Sequence, residues 1–270
     1  MKAAILRIFI FGEFMMKKLV NVLMLTGVVC VPALATAAEE TSPHSVSANV
    51  TLASDYRFRG VSQTYKDPAI QGGFDYSHES GVYLGTWASN VSESELAGAN
   101  MEWDFYGGYN WAVNDDISVN VGGLYYWYPG SSETDYGFDP NTFELYVGAT
   151  WKWLNVKYSY STTDYFGITN SDGTGYLEGN INYTLPYDVS LVAHLGGTFM
   201  AGSGNEDYTD WKIGVSKEFY GFNVGLAYVD TDIDSDNATW GGLTDYAKCA
   251  GCGTKNLTGA TAVLTVGKSF

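Results

Sequence analysis

Residues 257–270, Leu-Thr-Gly-Ala-Thr-Ala-Val-Leu-Thr-Val-Gly-Lys-Ser-Phe, alternate in steps of two up to the last residue of the chain. Counting back from Phe270, Lys268, Val266, Leu264, Ala262 and Ala260 share one face, and Ser269, Gly267, Thr265, Val263 and Thr261 share the other. A period of two is that of a β-strand. The final strand of a soluble protein usually trails into a few frayed residues. A barrel in a membrane instead needs its last strand to meet its first, because an open edge in lipid leaves backbone groups unpaired. A strand that stops on Phe fits closure.

Reading back from that strand, the same alternation recurs over 46–58, 69–77, 82–89, 101–110, 117–127, 142–151, 154–161, 176–185, 189–199, 210–219 and 222–228. The first of these sets Val46, Ala48, Val50, Leu52, Tyr56 and Phe58 against Ser47, Asn49, Thr51, Asp55, Arg57 and Arg59. In 82–89 the pattern is ambiguous: Val82, Leu84 and Ala88 alternate with Tyr83, Gly85 and Trp87, so either face could meet lipid. The expected count is twelve. Connections after odd-numbered strands are long, polar and acidic, and those after even-numbered strands are tight turns such as Lys152-Trp153 and Tyr220-Gly221. A soluble β-sandwich mixes its loop lengths between both ends, whereas an outer-membrane barrel has short periplasmic turns, long external loops and an even strand number. The fold expected is a closed antiparallel transmembrane β-barrel of about twelve strands.

Composition agrees with that fold. The chain of 270 residues holds 21 Tyr, 13 Phe, 8 Trp and 32 Gly but only 6 Pro, as long strands with two aromatic belts require. Trp111, Trp151, Trp153, Tyr187, Phe219, Tyr220, Phe222 and Phe270 fall at the turn ends. Tyr56, Phe58, Trp103, Trp127, Tyr158, Tyr160, Phe199, Trp211 and Tyr228 fall toward the loop ends. Amphipathic rings settle at headgroup depth, so these two sets are the expected girdles.

Met15-Met16-Lys17-Lys18, the apolar run 19–32 and the small residues 33–38 have the three parts of a secretory signal, with cleavage expected near Ala37. Residues 1–37 are therefore expected to be an upstream extension and signal peptide, and 38–270 a single barrel domain in the outer membrane. The formal net charge of the whole chain is −16. Losing Lys2, Arg7, Lys17 and Lys18 with Glu13 makes the remainder more acidic still. Such a chain has no phosphate track, which excludes nucleic acid as a partner. After the signal no apolar run is long enough for a membrane helix.

The run Ser54-Asp55-Tyr56-Arg57-Phe58-Arg59-Gly60-Val61-Ser62-Gln63, followed by Trp87-Ala88-Ser89-Asn90-Val91, resembles the opening signature of the TorF-type porin family, the proteobacterial conserved-hypothetical family Gcw_chp. The resemblance runs over the whole mature chain. It implies an outer-membrane barrel acting as a pore and names no solute. Lys268 departs from the usual barrel ending, where an aromatic or aliphatic residue is commoner; at an interface it can snorkel.

Function is expected on the inward face. Asp55, Arg57, Arg59, Asp75, Glu102, Asp104, Tyr106, Glu144, Lys157, Glu178, Asp210 and Lys212 are the candidate pore-lining residues. A lining of both signs sets up a transverse field, and the surplus of acids predicts a weak cation preference. The competing structural account is that these groups pair to stiffen a filled barrel. The expectation is passive diffusion of small hydrophilic solutes, with outer-membrane lipid, lipopolysaccharide and the barrel-assembly machinery as further partners and Phe270 as the assembly signal. Rival readings are a structural or adhesive surface barrel and, less favoured, an outer-membrane hydrolase.

For the hydrolase, only His194 of the three histidines lies within a strand, near Ser190 and Thr198, and no charged group orients it in the sequence. No enzyme activity and no cofactor are expected. Residues 230–237, Asp-Thr-Asp-Ile-Asp-Ser-Asp-Asn, open like a calcium loop but carry Ser235 where Gly is needed and Gly241 where the bidentate Glu belongs. They read as a solvated acidic loop, so no metal site is expected. Cys249 and Cys252 lack the ligands zinc needs and read as a local loop disulfide.

Overall fold

The computed structural model describes residues 42–94, 96–202, 204, 206–233 and 255–270. The expected leader, Cys249 with Cys252, and the acidic run beyond Ile233 lie outside these residues. Among the described residues no helix is long and apolar enough to cross a membrane.

Twelve strands close into an antiparallel barrel. They are β1 (His44–Ala53), β4 (Ala69–His78), β5 (Val82–Asn90), β6 (Met101–Ala112), β7 (Ile117–Trp127), β8 (Thr142–Trp151), β9 (Leu154–Ser161), β10 (Gly175–Leu185), β11 (Val189–Phe199), β12 (Tyr208–Phe219), β13 (Phe222–Thr231) and β14 (Thr261–Ser269). Two further strands, β2 (Arg57–Phe58) and β3 (Val61–Ser62), pair only with each other. Each barrel strand pairs with its sequence neighbour, and β1 pairs with both β4 and β14. At the seam, Asn49 faces Ser269 and Ala53 faces Thr265. The terminal residue takes part: the Phe270 amide donates to the Ala48 carbonyl at 2.8 Å, and the Ala48 amide returns the bond at 3.2 Å. No barrel strand is left with an open edge.

The period-two pattern is realised as two unlike faces. Outward stand Val46, Leu52, Ile70, Phe74, Leu84, Leu145, Leu195, Ile213, Leu226 and Leu264, all exposed. A continuous exposed apolar band is unstable in water and is the face a barrel presents to a bilayer. Exposed Trp111, Trp151, Tyr187, Tyr220, Phe222 and Phe270 ring the turn end, and Trp127, Tyr160, Phe199 and Tyr228 the loop end. The Lys268 ammonium lies 5.3 Å from the Phe222 ring centre and 5.4 Å from that of Phe270, so its charge is held at the turn-end girdle. The ambiguous strand is resolved as well. Val82 and Leu84 face out, while Tyr83 and Trp87 are buried inside.

The first strand differs from expectation. It ends at Ala53, and residues 54–68 turn into the barrel instead of continuing it. Tyr56 and Phe58 are consequently absent from the outer girdle: they are 2% and 7% exposed, inside the lumen. The β2–β3 hairpin turns at Arg59 and Gly60, whose φ values of 44° and 82° are both positive, as a two-residue type I′ turn requires. Gly60 is needed for space as well as for φ. A Cβ there would lie 2.2 Å from Thr231 Cγ2 and 2.8 Å from Asp210 Cβ, so the tip of the hairpin abuts the opposite wall.

Candidate functional site

The hairpin divides the lumen into a filled side and an open one. On the filled side, Tyr56 and Phe58 pack with Tyr83, Trp87, Tyr106, Leu124, Tyr126 and Tyr146 from β5–β8 and with Leu96, Tyr128 and Phe166 from the loops. Tyr56 meets Trp87 edge-on at 5.3 Å, and Phe58 meets Tyr126 at 5.6 Å. Acids are enclosed with these rings. Glu102 accepts hydrogen bonds from the hydroxyls of Tyr56 at 2.8 Å and Tyr128 at 2.9 Å. Burial, and then the Glu102 charge, hold both hydroxyls well above their ordinary pKa, so they stay protonated donors. Asp75 accepts from Tyr106. Asp104 is fully buried, and among the described residues neither of its carboxylate oxygens has a hydrogen-bond partner.

Two arginines fasten the hairpin. One terminal nitrogen of Arg59 donates to both Glu144 oxygens at 2.8 Å, and the other donates to the Tyr165 hydroxyl at 2.9 Å. Its guanidinium carbon also sits 4.0 Å from the centre of the Tyr176 ring. Arg57 donates to Asp55 at 2.6 Å and to the carbonyls of Gly60 and Leu257 at 2.9 and 2.8 Å. The end of the last loop completes the clamp, with Lys255 Nζ donating to the Tyr65 carbonyl at 2.9 Å and to Asp67 at 3.0 Å.

On the other side, against β9–β14 and β1, a cavity of about 110 Å³ opens to solvent. Asp55, Arg57 and Arg59 bound it at the hairpin, and Lys157, Glu178, Asp210 and Lys212 bound it at the wall. Lys157 pairs with Glu178 at 2.7 Å. Asn180 donates to the other Glu178 oxygen at 2.9 Å and presents its carbonyl to His194 Nδ1 at 2.7 Å. His194 Nε2 lies 2.9 Å from Asp210, which also accepts from Tyr176 at 2.9 Å. Below this layer the small residues Gly214, Gly225 and Ala227 line the cavity.

All twelve inward candidates thus point inside, but they separate into three groups. Asp75, Glu102, Asp104 and Tyr106 belong to the filled side, Glu144 to the hairpin latch, and the remaining seven to the cavity boundary. Sequence reasoning passed over Tyr176 and Asn180, although they flank Glu178 in the alternation. It also found no charged partner for His194, because Asp210 reaches it across the β11–β12 pairing rather than along the chain. Among the described residues the partners of His194 are Tyr176, Asn180 and Asp210, not Ser190 or Thr198. No group of three or more His, Cys, Asp or Glu suited to a metal occurs among the described residues.

The comparisons with known proteins bear on this architecture. A family model described as a bacterial protein of unknown function matches residues 37–270. The chain belongs to the Gcw_chp family. No curated protein matches this Gcw_chp chain. Solved structures similar to it include the KdgM porin, at 12% identity and a TM-score of 0.52 over 83% of this chain and 99% of that one. The KdgM porin in complex with disordered oligogalacturonate matches at 11% identity and a TM-score of 0.50, over 83% and 98% of the two chains. The NanC porin matches at 12% identity and a TM-score of 0.49, over 83% and 98%. At such identities the likeness establishes a porin-like barrel fold for the Gcw_chp chain.

Proposed function

We propose that the protein is an outer-membrane porin-like channel through which small hydrophilic solutes diffuse passively, with the 54–68 hairpin as the constriction that limits their size. The observation that carries this reading is the solvent-connected, charge-lined cavity left beside the hairpin inside a barrel whose outer face is apolar. Polar side chains enclosed in such a barrel are stabilised by water and by each other, and a mixed-charge interior open to solvent serves passage of polar solutes. The KdgM porin, similar in fold, has been seen with oligogalacturonate, so a barrel of this shape accommodates a hydrophilic guest. The cation preference expected from the acid surplus is not carried into this proposal, because Asp75, Glu102, Asp104 and Glu144 do not line the cavity.

The purified, refolded protein in a planar bilayer is expected to show discrete conductance steps. A barrel that keeps heat-modifiable gel mobility yet never conducts would sink the channel and leave a structural or adhesive role.

In this reading residues 1–37 are a leader removed during export, residues 38–270 form the barrel, and lipid and lipopolysaccharide contact its outer face. The terminal strand is the segment the barrel-assembly machinery recognises, and Phe270 its key residue. Deleting Phe270 removes the two seam hydrogen bonds to Ala48 and the ring beside Lys268. The truncated protein is expected to be exported normally but to accumulate unfolded, read as loss of heat-modifiable mobility in the membrane fraction. Full assembly of the truncation would count against Phe270 as the signal.

A further inference from the structure

Pairing the charges around the cavity leaves one residue over. Four bases and three acids bound the space. Arg57 is engaged by Asp55 and by backbone carbonyls, and Arg59 by Glu144 and the Tyr165 hydroxyl. Lys157 is engaged by Glu178. Asp210 is occupied by the His194 ring and the Tyr176 hydroxyl. Lys212, half-buried on β12, makes no ion pair and no hydrogen bond among the described residues. Its backbone faces His194 on one side and Val229 on the other. The next inward positions along its own strand and its neighbour, Gly214 and Ala227, carry almost no side chain. Lys212 therefore bounds the cavity beside positions with short side chains.

We propose that Lys212 is an anion subsite of the channel, and that it selects small hydrophilic solutes bearing a carboxylate. This deepens the channel reading and rests on it. An ammonium carries three donors and no acceptor. With none of them committed to protein, a carboxylate can dock without displacing an existing ion pair. Burial on one side lowers the local dielectric and lengthens the reach of the charge. Glu178, and then Asp210 two residues away on the same face, offset part of that field, but the oxygens of both are already donated to. A single flexible point charge also releases its guest more readily than a two-pronged guanidinium, as passage requires.

The experiment uses the full barrel in a planar bilayer, with potassium gluconate as the probe carboxylate. Wild type is expected to carry gluconate current, Lys212→Gln to lose it several-fold with the reversal potential shifting toward potassium, and Lys212→Arg to retain it. Heat-modifiable mobility establishes that each variant is folded. In parallel, gluconate is expected to protect Lys212 from an amine-acylating reagent, read by mass spectrometry. An unchanged reversal potential in a conducting Lys212→Gln overturns the subsite and leaves the channel standing. A non-conducting wild type in which gluconate still protects Lys212 overturns the channel and leaves an anion site. Absence of both conductance and protection overturns both.

Discussion

Replacing residues 54–68 by an Asn-Gly turn is expected to raise the single-channel conductance several-fold while the barrel stays closed. Ala53 and Ala69 already face each other at the ends of β1 and β4, so a two-residue type I′ turn joins the strands without changing their register. None of the twelve barrel strands is lost, because β2 and β3 pair only with each other. What disappears is the element whose tip abuts Asp210 and Thr231 and whose rings fill the lumen along β5–β8. The acids and tyrosines it covers gain water as a partner, which offsets the lost hydrogen bonds. Conductance equal to that of wild type in a folded variant would show that the hairpin does not limit passage.

The second large effect is expected at the latch. Arg59 and Glu144 are 3% and 2% exposed in their side chains. Removing one partner of such a pair leaves the other buried and uncompensated, at a cost of about 3–5 kcal/mol. In Arg59→Ala, Glu144 would keep only the long 3.4 Å bond from Tyr126. The barrel has an escape that a soluble core lacks: the hairpin can lift and let water reach Glu144. The cost therefore falls on docking of the hairpin rather than on the strands, and shifts the docked-to-undocked ratio by about a hundredfold or more. Limited trypsin digestion reads this, since Arg57 is buried in the docked state. Arg59→Ala is expected to be cut within 54–68 with the barrel intact. The pair Arg59→Leu with Glu144→Leu is expected to recover most of the protection, because two apolar groups leave no stranded charge. Equal resistance of wild type and Arg59→Ala would overturn the latch.

Legibility of the site followed the range of its contacts. Lys157, Glu178, Asp210 and Lys212 were readable as inward because each alternates with lipid-facing neighbours on its own strand, such as Leu177 beside Glu178 and Ile213 beside Lys212. Their pairing into Lys157–Glu178 and His194–Asp210 was not readable, since it depends on strand register between β9, β10, β11 and β12. That register also left Lys212 with no ion pair among the described residues. Asp104 and Glu102 read as channel lining when in fact loops and hairpin cover them.

Residues 54–59 show most clearly where local pattern stops deciding. Tyr56, Arg57, Phe58 and Arg59 resume the alternation of β1 after one interruption at Ala53-Ser54, and a period of two is the same whether the strand stays in the wall or turns inward. The turn at Arg59-Gly60 gave a partial signal, because a Gly there permits the positive φ that a hairpin needs. The deciding contacts are remote: Tyr56 to Glu102, Arg59 to Glu144 and Arg57 to Leu257 span 46, 85 and 200 residues. By itself, then, the sequence determined the twelve strands, the faces of all but 82–89, the alternation of turns and loops, and the closing role of 257–270. A bilayer outside and water inside impose those features residue by residue. Only the tertiary structure decided that the first loop enters the lumen, which half it fills and which charges pair. Those outcomes depend on burial and ion pairing between strands that meet only once the barrel has closed.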